Sequence, residues 1–245
     1  KTVAGSLIIG LAASVLITLA GLVGLHPLLV LLDTPAEILE EAYGYIHIID
    51  LGVLVMFAYN LCAGLLRAIG NSVMPLVFLL ISSALNVVLD ILFIAYGGMG
   101  VRGAAVATVL SQGVSVVLCI FYIFAKTKIL LPEKKHFHIH KKLYWDLFSQ
   151  SLSMGLMSSI VSAGSVVLQY GINGLGTKVI AGHTAARKLF AFTDMPLIAM
   201  ANAASTYVSQ NYGAGKPERV RRGMRDIYLY SVVVALLSVV LMQFG

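Results

Sequence analysis

The sequence predicts an all-α protein that crosses a membrane several times. Apolar residues make up 59% of the 245 residues, charged residues only 11%, and the mean hydropathy is +0.91, whereas about a quarter of the residues in a soluble domain are charged. The apolar residues form continuous runs, and several reach the roughly 20 residues that a helix needs to cross a hydrocarbon core. Runs of this length favour helices over the shorter, alternating strands of a membrane barrel.

Seven membrane spans, named A to G in chain order, are predicted from these runs. They cover residues 2–24, 43–66, 72–96, 101–125, 147–175, 180–210 and 227–244. Spans E and F are longer than a minimal crossing requires, so we expect them to tilt or to project from the bilayer. We also expect Pro196 to kink span F.

Basic residues are concentrated in alternate connections between the spans. The B–C, D–E and F–G connections together hold twelve Lys or Arg residues, whereas the opposite connections hold only Arg102 and Lys178. Because basic loops remain in the cytoplasm, spans A, C, E and G are expected to run outward. The net charge of +6 is then explained by membrane orientation, and no nucleic-acid partner is expected.

The D–E connection is the longest and most polar, and it predicts a division of the chain. We expect residues 1–126 to form part of an N-terminal lobe with four helices, residues 127–146 to form a cytoplasmic linker, and residues 147–245 to form part of a C-terminal lobe with three helices. The chain begins without Met and ends inside an apolar run, so we expect it to be a piece of a longer protein.

Asp90 is the first candidate for chemistry, because an acid in the bilayer core costs about 2.5 to 3.5 kcal/mol and usually has a function. Asn86 lies one helical turn before it, on the same face. Counting along the C–D hairpin at about 1.5 Å per residue brings Thr108 beside Asp90, and Gln112 beside Asn86. The sequence therefore predicts a polar niche that these four side chains form between two helices.

The niche could hold either a cation or a proton. Carboxylate, amide and hydroxyl oxygens suit a small hard cation, so sodium would be bound by Asn86, Asp90 and Thr108. A carboxyl group sheltered from water can hold a proton instead, because desolvation disfavours its charged form. A purely structural role remains open, since Asn, Thr and Gln also pair across membrane helices.

Two further acids lie inside predicted spans. Asp194 is about 21 Å from the outer end of span F, a depth that suits a counter-charge for a cationic substrate. Arg187 lies seven residues earlier on roughly the same face, so it could line a substrate site or balance Asp194 internally. Asp50 lies with His47 near the outer end of span B, where we expect pairing or hydration.

Four stretches resemble the multidrug and toxic compound extrusion (MATE) family. RAIGNSVMP at residues 67–75, NVVLD at 86–90 and GAAVAT at 103–108 are similar to the fourth through sixth helices of that family. ASTYVSQNYGAGKP at residues 204–217 resembles the end of its eighth helix and the following basic loop. The resemblance extends over essentially the whole chain, which would correspond to helices three to nine of twelve.

The resemblance implies parts of two pseudo-symmetric six-helix lobes around a cavity that opens alternately to each side. It also implies a cation or proton site whose members fall on Asn86, Asp90 and Thr108. Some branches of the family rely instead on a glutamate in the seventh helix, but span E contains no acid. Coupling is therefore expected in the N-terminal lobe.

The implied function is secondary active efflux. A multi-pass monomer in the plasma membrane would export small, cationic organic compounds in exchange for protons or sodium ions, with no cofactor beyond the coupling ion and with the lipid bilayer as a partner. One alternative is a flippase for lipid-linked sugars of the related superfamily, in which Arg187 and Lys188 would line the cavity. A heptahelical receptor, suggested only by the count of seven spans, is a further alternative. An enzyme is not expected, because no nucleophile and base occur together in a recognisable arrangement.

Two other motifs carry less weight. Residues 98–103 match the pattern GxGxxG, but no strand precedes them, so a dinucleotide site is not expected. His136, His138 and His140 alternate in the D–E connection, where solvated histidines are the preferred interpretation over a metal-binding tract.

Overall fold

The structure is a computed structural model that describes residues 1–32, 34, 36–138 and 141–244. These residues form eight α-helices and no strand, which confirms the all-α class. The helices are α1 (Thr2–Leu31), α2 (Ala36–Leu51), α3 (Val53–Ala68), α4 (Val73–Asp90), α5 (Gly100–Lys126), α6 (Lys141–Asn173), α7 (Thr177–Gly213) and α8 (Pro217–Phe244). A π-helical segment, Ile91–Tyr96, extends α4, and two short 3₁₀ turns, Lys128–Leu130 and Lys134–Phe137, follow α5.

Five of the helices are long and apolar enough to cross a membrane, namely α1, α4 with its π-helical extension, α5, α6 and α8. Helices α2 and α3 together form a sixth candidate span, bent by 44°. The bend is at Gly52, where a side chain would overlap Val109 of α5, so the break coincides with a close helix contact. Helix α7 lies where span F is predicted, but it is not among the helices apolar enough to cross, because Ser, Thr, Asn and Gln residues as well as charges lie along it.

Helix α5 is the centre of the N-terminal bundle and packs against α2, α3 and α4. Its buried positions are small, and this lets neighbouring backbones approach closely. They are Gly103, Ala105, Ala107, Ser111, Ser115 and Cys119, followed by the larger Ile123. The Ser115 hydroxyl donates a hydrogen bond of 2.9 Å to the carbonyl of Phe78 in α4.

The turn between α3 and α4 accounts for Gly70 and Asn71 in the segment at residues 67–75. Gly70 has a φ of 89°, a left-handed conformation that glycine adopts without steric cost. The Asn71 amide donates 3.0 Å to the Tyr122 hydroxyl of α5, and its oxygen accepts 3.2 Å from the backbone N–H of Met74. Asn71 thus satisfies one of the free N–H groups at the start of α4 and ties the turn to α5.

The chain divides into two compact units, Lys1–Ser149 and Gln150–Gly245. In the first unit the start of α6 reaches α1, where Gly5 lies against Leu147 and Tyr144. In the second unit α7 packs against α8. The division into lobes 1–126 and 147–245, with a linker at 127–146, stays a prediction.

Candidate functional site

Helix α4 presents Asn86 and Asp90 one turn apart, both half-buried. The Asn86 Nδ2 atom and the Asp90 Oδ1 atom are buried, and neither has a hydrogen-bond partner within the described part of the chain. Polar atoms buried in this way are rare and costly, since they have left water without gaining a partner. A proton or a small cation at Asp90 would give Oδ1 a partner, whereas the Asn86 Nδ2 donor needs a hydrogen-bond acceptor.

The helix changes geometry directly after Asp90. Residues Ile91–Tyr96 adopt π-helical hydrogen bonding, a feature that often marks functional sites. The wider turns hold more residues than an α-helix does. Counting inward at the α-helical rise therefore overestimates the depth of Asp90.

Two contacts fix the register between α4 and α5. Phe93 lies beside Gly103, and Phe78 accepts the hydrogen bond of Ser115. Interpolating between these contacts along the antiparallel pair puts Thr108 level with Asn86, about one turn (~5 Å) inside Asp90.

Thr108 and Gln112 therefore lie deeper relative to α4 than the sequence count suggests. By the same interpolation Gln112 is level with Ser82, which is buried. The Thr108 hydroxyl donates 2.9 Å to the carbonyl of Ala104 in its own helix. Its proton is therefore used, while its oxygen lone pairs can still accept. By this interpolation Asn86 and Thr108 lie at one level, with Asp90 about one turn above them.

This arrangement has the chemistry of a small cation or proton site. It offers a carboxylate oxygen with no partner, a hydroxyl oxygen whose proton is already donated, and an amide, all in helices of apolar composition. These are hard ligands of the kind that suit sodium. A bound proton would neutralise the carboxylate equally well.

A second polar group lies between the middle of α1 and the last turns of α2, deeper than the outer end of span B where Asp50 was expected, because α2 already begins at Ala36. The Thr18 hydroxyl donates 3.1 Å to the carbonyl of Asp50, and the Asp50 carboxylate packs directly on Gly21. Asp50 Oδ2 and His47 Nδ1 are buried without hydrogen-bond partners among the described residues, and Tyr43 stacks on His47 with ring centroids 5.4 Å apart. The pairing expected for Asp50 is therefore not formed at Oδ2. The sequence shows His47 and Asp50 as neighbouring polar residues in span B, but the burial of their side-chain atoms could not be read from it.

The candidates on α7 do not form an ion pair with each other. Asp194 is half-buried and Arg187 is exposed, and the ion pairs within the described part of the chain are Lys135 with Glu133 and Arg225 with Asp226. Direct neutralisation of Asp194 by Arg187 is thus absent. Both residues stay candidates for contact with a substrate.

The remaining motifs have structural explanations or fall outside the described structure. Gly98 and Gly100, with φ of 62° and 55°, form the tight turn between the π-helical segment and α5, so the GxGxxG match is a helix hairpin. His140 and the side chain of His136 lie outside the described residues. Among the residues described, no group of three or more His, Cys, Asp or Glu side chains could hold a metal ion.

Comparison with known proteins gives consistent results. The MatE family model matches residues 1–92 and 154–244. The chain is 34% identical over 197 residues to "Probable multidrug resistance protein YpnP" of Bacillus subtilis, covering 79% of this chain and 43% of that protein. It is also 22% identical over 225 residues to the multidrug export protein MepA of Staphylococcus saprophyticus, covering 92% of this chain and 50% of that protein.

Solved structures show the same fold. A MATE crystal structure in the straight conformation superimposes with a TM-score of 0.85 at 24% identity, covering 98% of this chain and 54% of that one. A MOP superfamily transporter from Pyrococcus furiosus, whose binding pocket of reverse polarity suggests a different function, superimposes with a TM-score of 0.82 at 26% identity, covering 97% of this chain and 52% of that one.

The chain spans about half the length of the curated relatives it matches. Its relatives are transporters, and its helices are those of a multi-pass membrane protein. A family model that matches three quarters of the residues, in both compact units, is sufficient to assign it. The chain belongs to the MatE family of multidrug efflux transporters.

Proposed function

We propose that the full-length protein exports small organic cations in exchange for protons or sodium ions. The observation that carries this proposal is the buried Asp90 carboxyl group, whose Oδ1 has no hydrogen-bond partner in the described chain, one turn from Asn86, whose Nδ2 also lacks one. An intramembrane acid of this kind is costly to keep unless it binds something. The names of the relatives, which concern multidrug resistance and export, support organic compounds as the cargo.

The coupling ion acts on Asp90 first. A proton or sodium ion that enters from outside neutralises the carboxylate, and the Thr108 oxygen and the Asn86 amide complete its surroundings. Coupling requires that the ion and the cargo have different affinities for the inward-open and outward-open packings. One charge crossing ~100 mV supplies about 2.3 kcal/mol, before any concentration gradient is added.

Asp194 is the proposed counter-charge for the exported cation. Its side chain is half-buried on α7 and has no ion-pair partner among the described residues. A carboxylate without a basic partner attracts an organic cation more strongly than a neutralised one does. Exposed Arg187, seven residues before it, would contact anionic or polar parts of the cargo.

Separately imposed gradients test the proposal. Full-length protein in proteoliposomes would be given a fluorescent cationic dye and either a proton gradient, a sodium gradient or neither. We expect dye movement against its gradient with one of the two ions, and we expect an ionophore for that ion to abolish it. Dye movement of equal rate under all three conditions would show a passive pathway and contradict the proposal.

A second candidate function is the flipping of lipid-linked sugars. Exposed Arg187 and Lys188 on α7 favour it, because they could contact the phosphates of such a cargo. Translocation of a lipid-linked oligosaccharide by the same proteoliposomes, without dye transport under any gradient, would select this function over efflux.

A further inference from the structure

The N-terminal unit contains an apolar groove that the proposed transport mechanism does not use. Its volume is about 400 Å³, within the range of ligand pockets. Its walls come from α1, α3 and α5, and the segment after α5 closes it at the bottom. The principal wall residues are Leu7, Leu11, Phe57, Leu61, Ile120 and Phe124.

The height of the groove matches one leaflet of a bilayer. On α3 the lining residues extend from Leu54 to Leu65, which is about 16 Å at the helical rise. Half of a ~30 Å hydrocarbon core is ~15 Å. The lining on α1 begins at Val3, and that on α5 ends at Phe124, two residues before the end of the helix. The groove therefore lies in the half of the membrane next to the basic connections, which is the cytoplasmic half.

Two basic residues precede the segment that closes one end of the groove. Leu130, Leu131 and Pro132 close it, and Leu130 is anchored in a buried cluster with Leu66 and Ile123. Lys126 and Lys128 precede these residues, are exposed, and form no ion pair among the described residues.

The acid of the same segment does not cancel this charge. Glu133 pairs with Lys135 at 2.6 Å. Lys126 and Lys128 thus leave a net positive charge next to the closed, cytoplasmic end of the groove.

We propose that this groove binds one acyl chain of an anionic phospholipid from the inner leaflet, with its phosphate at Lys126 and Lys128. The apolar walls match a hydrocarbon chain, and the lysines match a negative headgroup, since basic residues at the cytoplasmic end of membrane helices attract anionic lipids. The lipid would fill the space between α1, α3 and α5 and so fix their packing. This inference does not depend on the proposed transport function.

Native mass spectrometry of the full-length protein tests the site. Detergent-purified protein would be incubated with equal amounts of dioleoyl phosphatidylglycerol and dioleoyl phosphatidylcholine. We expect preferential retention of phosphatidylglycerol. Lys126→Gln with Lys128→Gln should lower that preference about fivefold for each lysine removed, and Ala58→Trp, which fills the groove, should abolish retention of the tightly bound lipid.

Matched variants control for charge and bulk. Arg221→Gln with Arg222→Gln removes the same charge from exposed positions of the second unit, and Val117→Trp adds the same ring to an exposed position of α5 outside the groove. Both should retain lipid as the parent does. Equal loss in the control and groove variants, or equal retention in Ala58→Trp and the parent, would overturn the proposal.

A photo-crosslinker identifies the occupant directly. Benzoylphenylalanine at Leu61 should form an adduct with phospholipid in native membranes. An adduct formed only with another segment of the same protein would show that a helix fills the groove, and this too would overturn the proposal.

Discussion

The Asn71 side chain joins the start of α4 to α5, so its removal should cost more than an ordinary surface substitution. Asn71→Ala would lose the bond to Tyr122 and the bond from the Met74 N–H. Loss of a side-chain cap costs about 0.5 to 2 kcal/mol, and a side-chain hydrogen bond between membrane helices averages about 0.6 kcal/mol. The expected loss in free energy of unfolding is therefore about 1 to 3 kcal/mol.

A double-mutant cycle separates the two bonds. Tyr122→Phe removes only the hydroxyl that accepts from Asn71, so it should cost about 0.5 to 1.5 kcal/mol. The two substitutions together should cost less than the sum of the single losses, because they share one bond. The free energy of unfolding would be measured in mixed detergent micelles. Full additivity, or no loss in Asn71→Ala, would refute the role assigned to this turn.

Two further predictions concern close packing. Gly223→Ala would place a methyl group against the Tyr207 ring and should cost about 1 to 3 kcal/mol of unfolding free energy. The control is Gly64→Ala on α3, where the added methyl group would face open space, so this variant should be neutral or gain up to about 1 kcal/mol. Equal effects of the two substitutions in a thermal-unfolding assay would contradict the α7–α8 contact. Ser115→Ala should lower the free energy of unfolding by about 0.5 to 1.5 kcal/mol, because its buried hydrogen bond to Phe78 is removed. Ser158→Ala, at an exposed position of α6, should leave the stability unchanged. Identical melting temperatures for both variants would argue against the α4–α5 register.

The class of fold could be predicted from the sequence because it depends on the length and number of the apolar runs. Runs of apolar residues defined the α-helices, and the solved relatives have the same fold. The ends of helices were harder to predict. Span A was expected to end at residue 24, but α1 continues to Leu31 through Pro27, since a proline can be accommodated within a membrane helix.

The sequence shows the residue types of the candidate site but not the levels at which they lie. Asn86 and Asp90 stand out as polar residues one turn apart in an apolar run. The level of Thr108, however, depends on the π-helical segment Ile91–Tyr96, whose sequence is ordinary and apolar. Burial of the Asp50 carboxylate depends on Gly21 in another helix, and such a contact between distant positions leaves no local signal in the sequence.

The most direct test of coupling through Asp90 is uptake of a cationic dye by proteoliposomes that contain the full-length Asp90→Asn variant. Asp146→Asn, at an exposed position near the start of α6, is the matched control. Transport driven by the ion gradient should be lost in Asp90→Asn and kept in Asp146→Asn, with equal amounts of folded protein in the membrane. Uphill dye transport by Asp90→Asn at the parental rate would contradict the assignment of the coupling site.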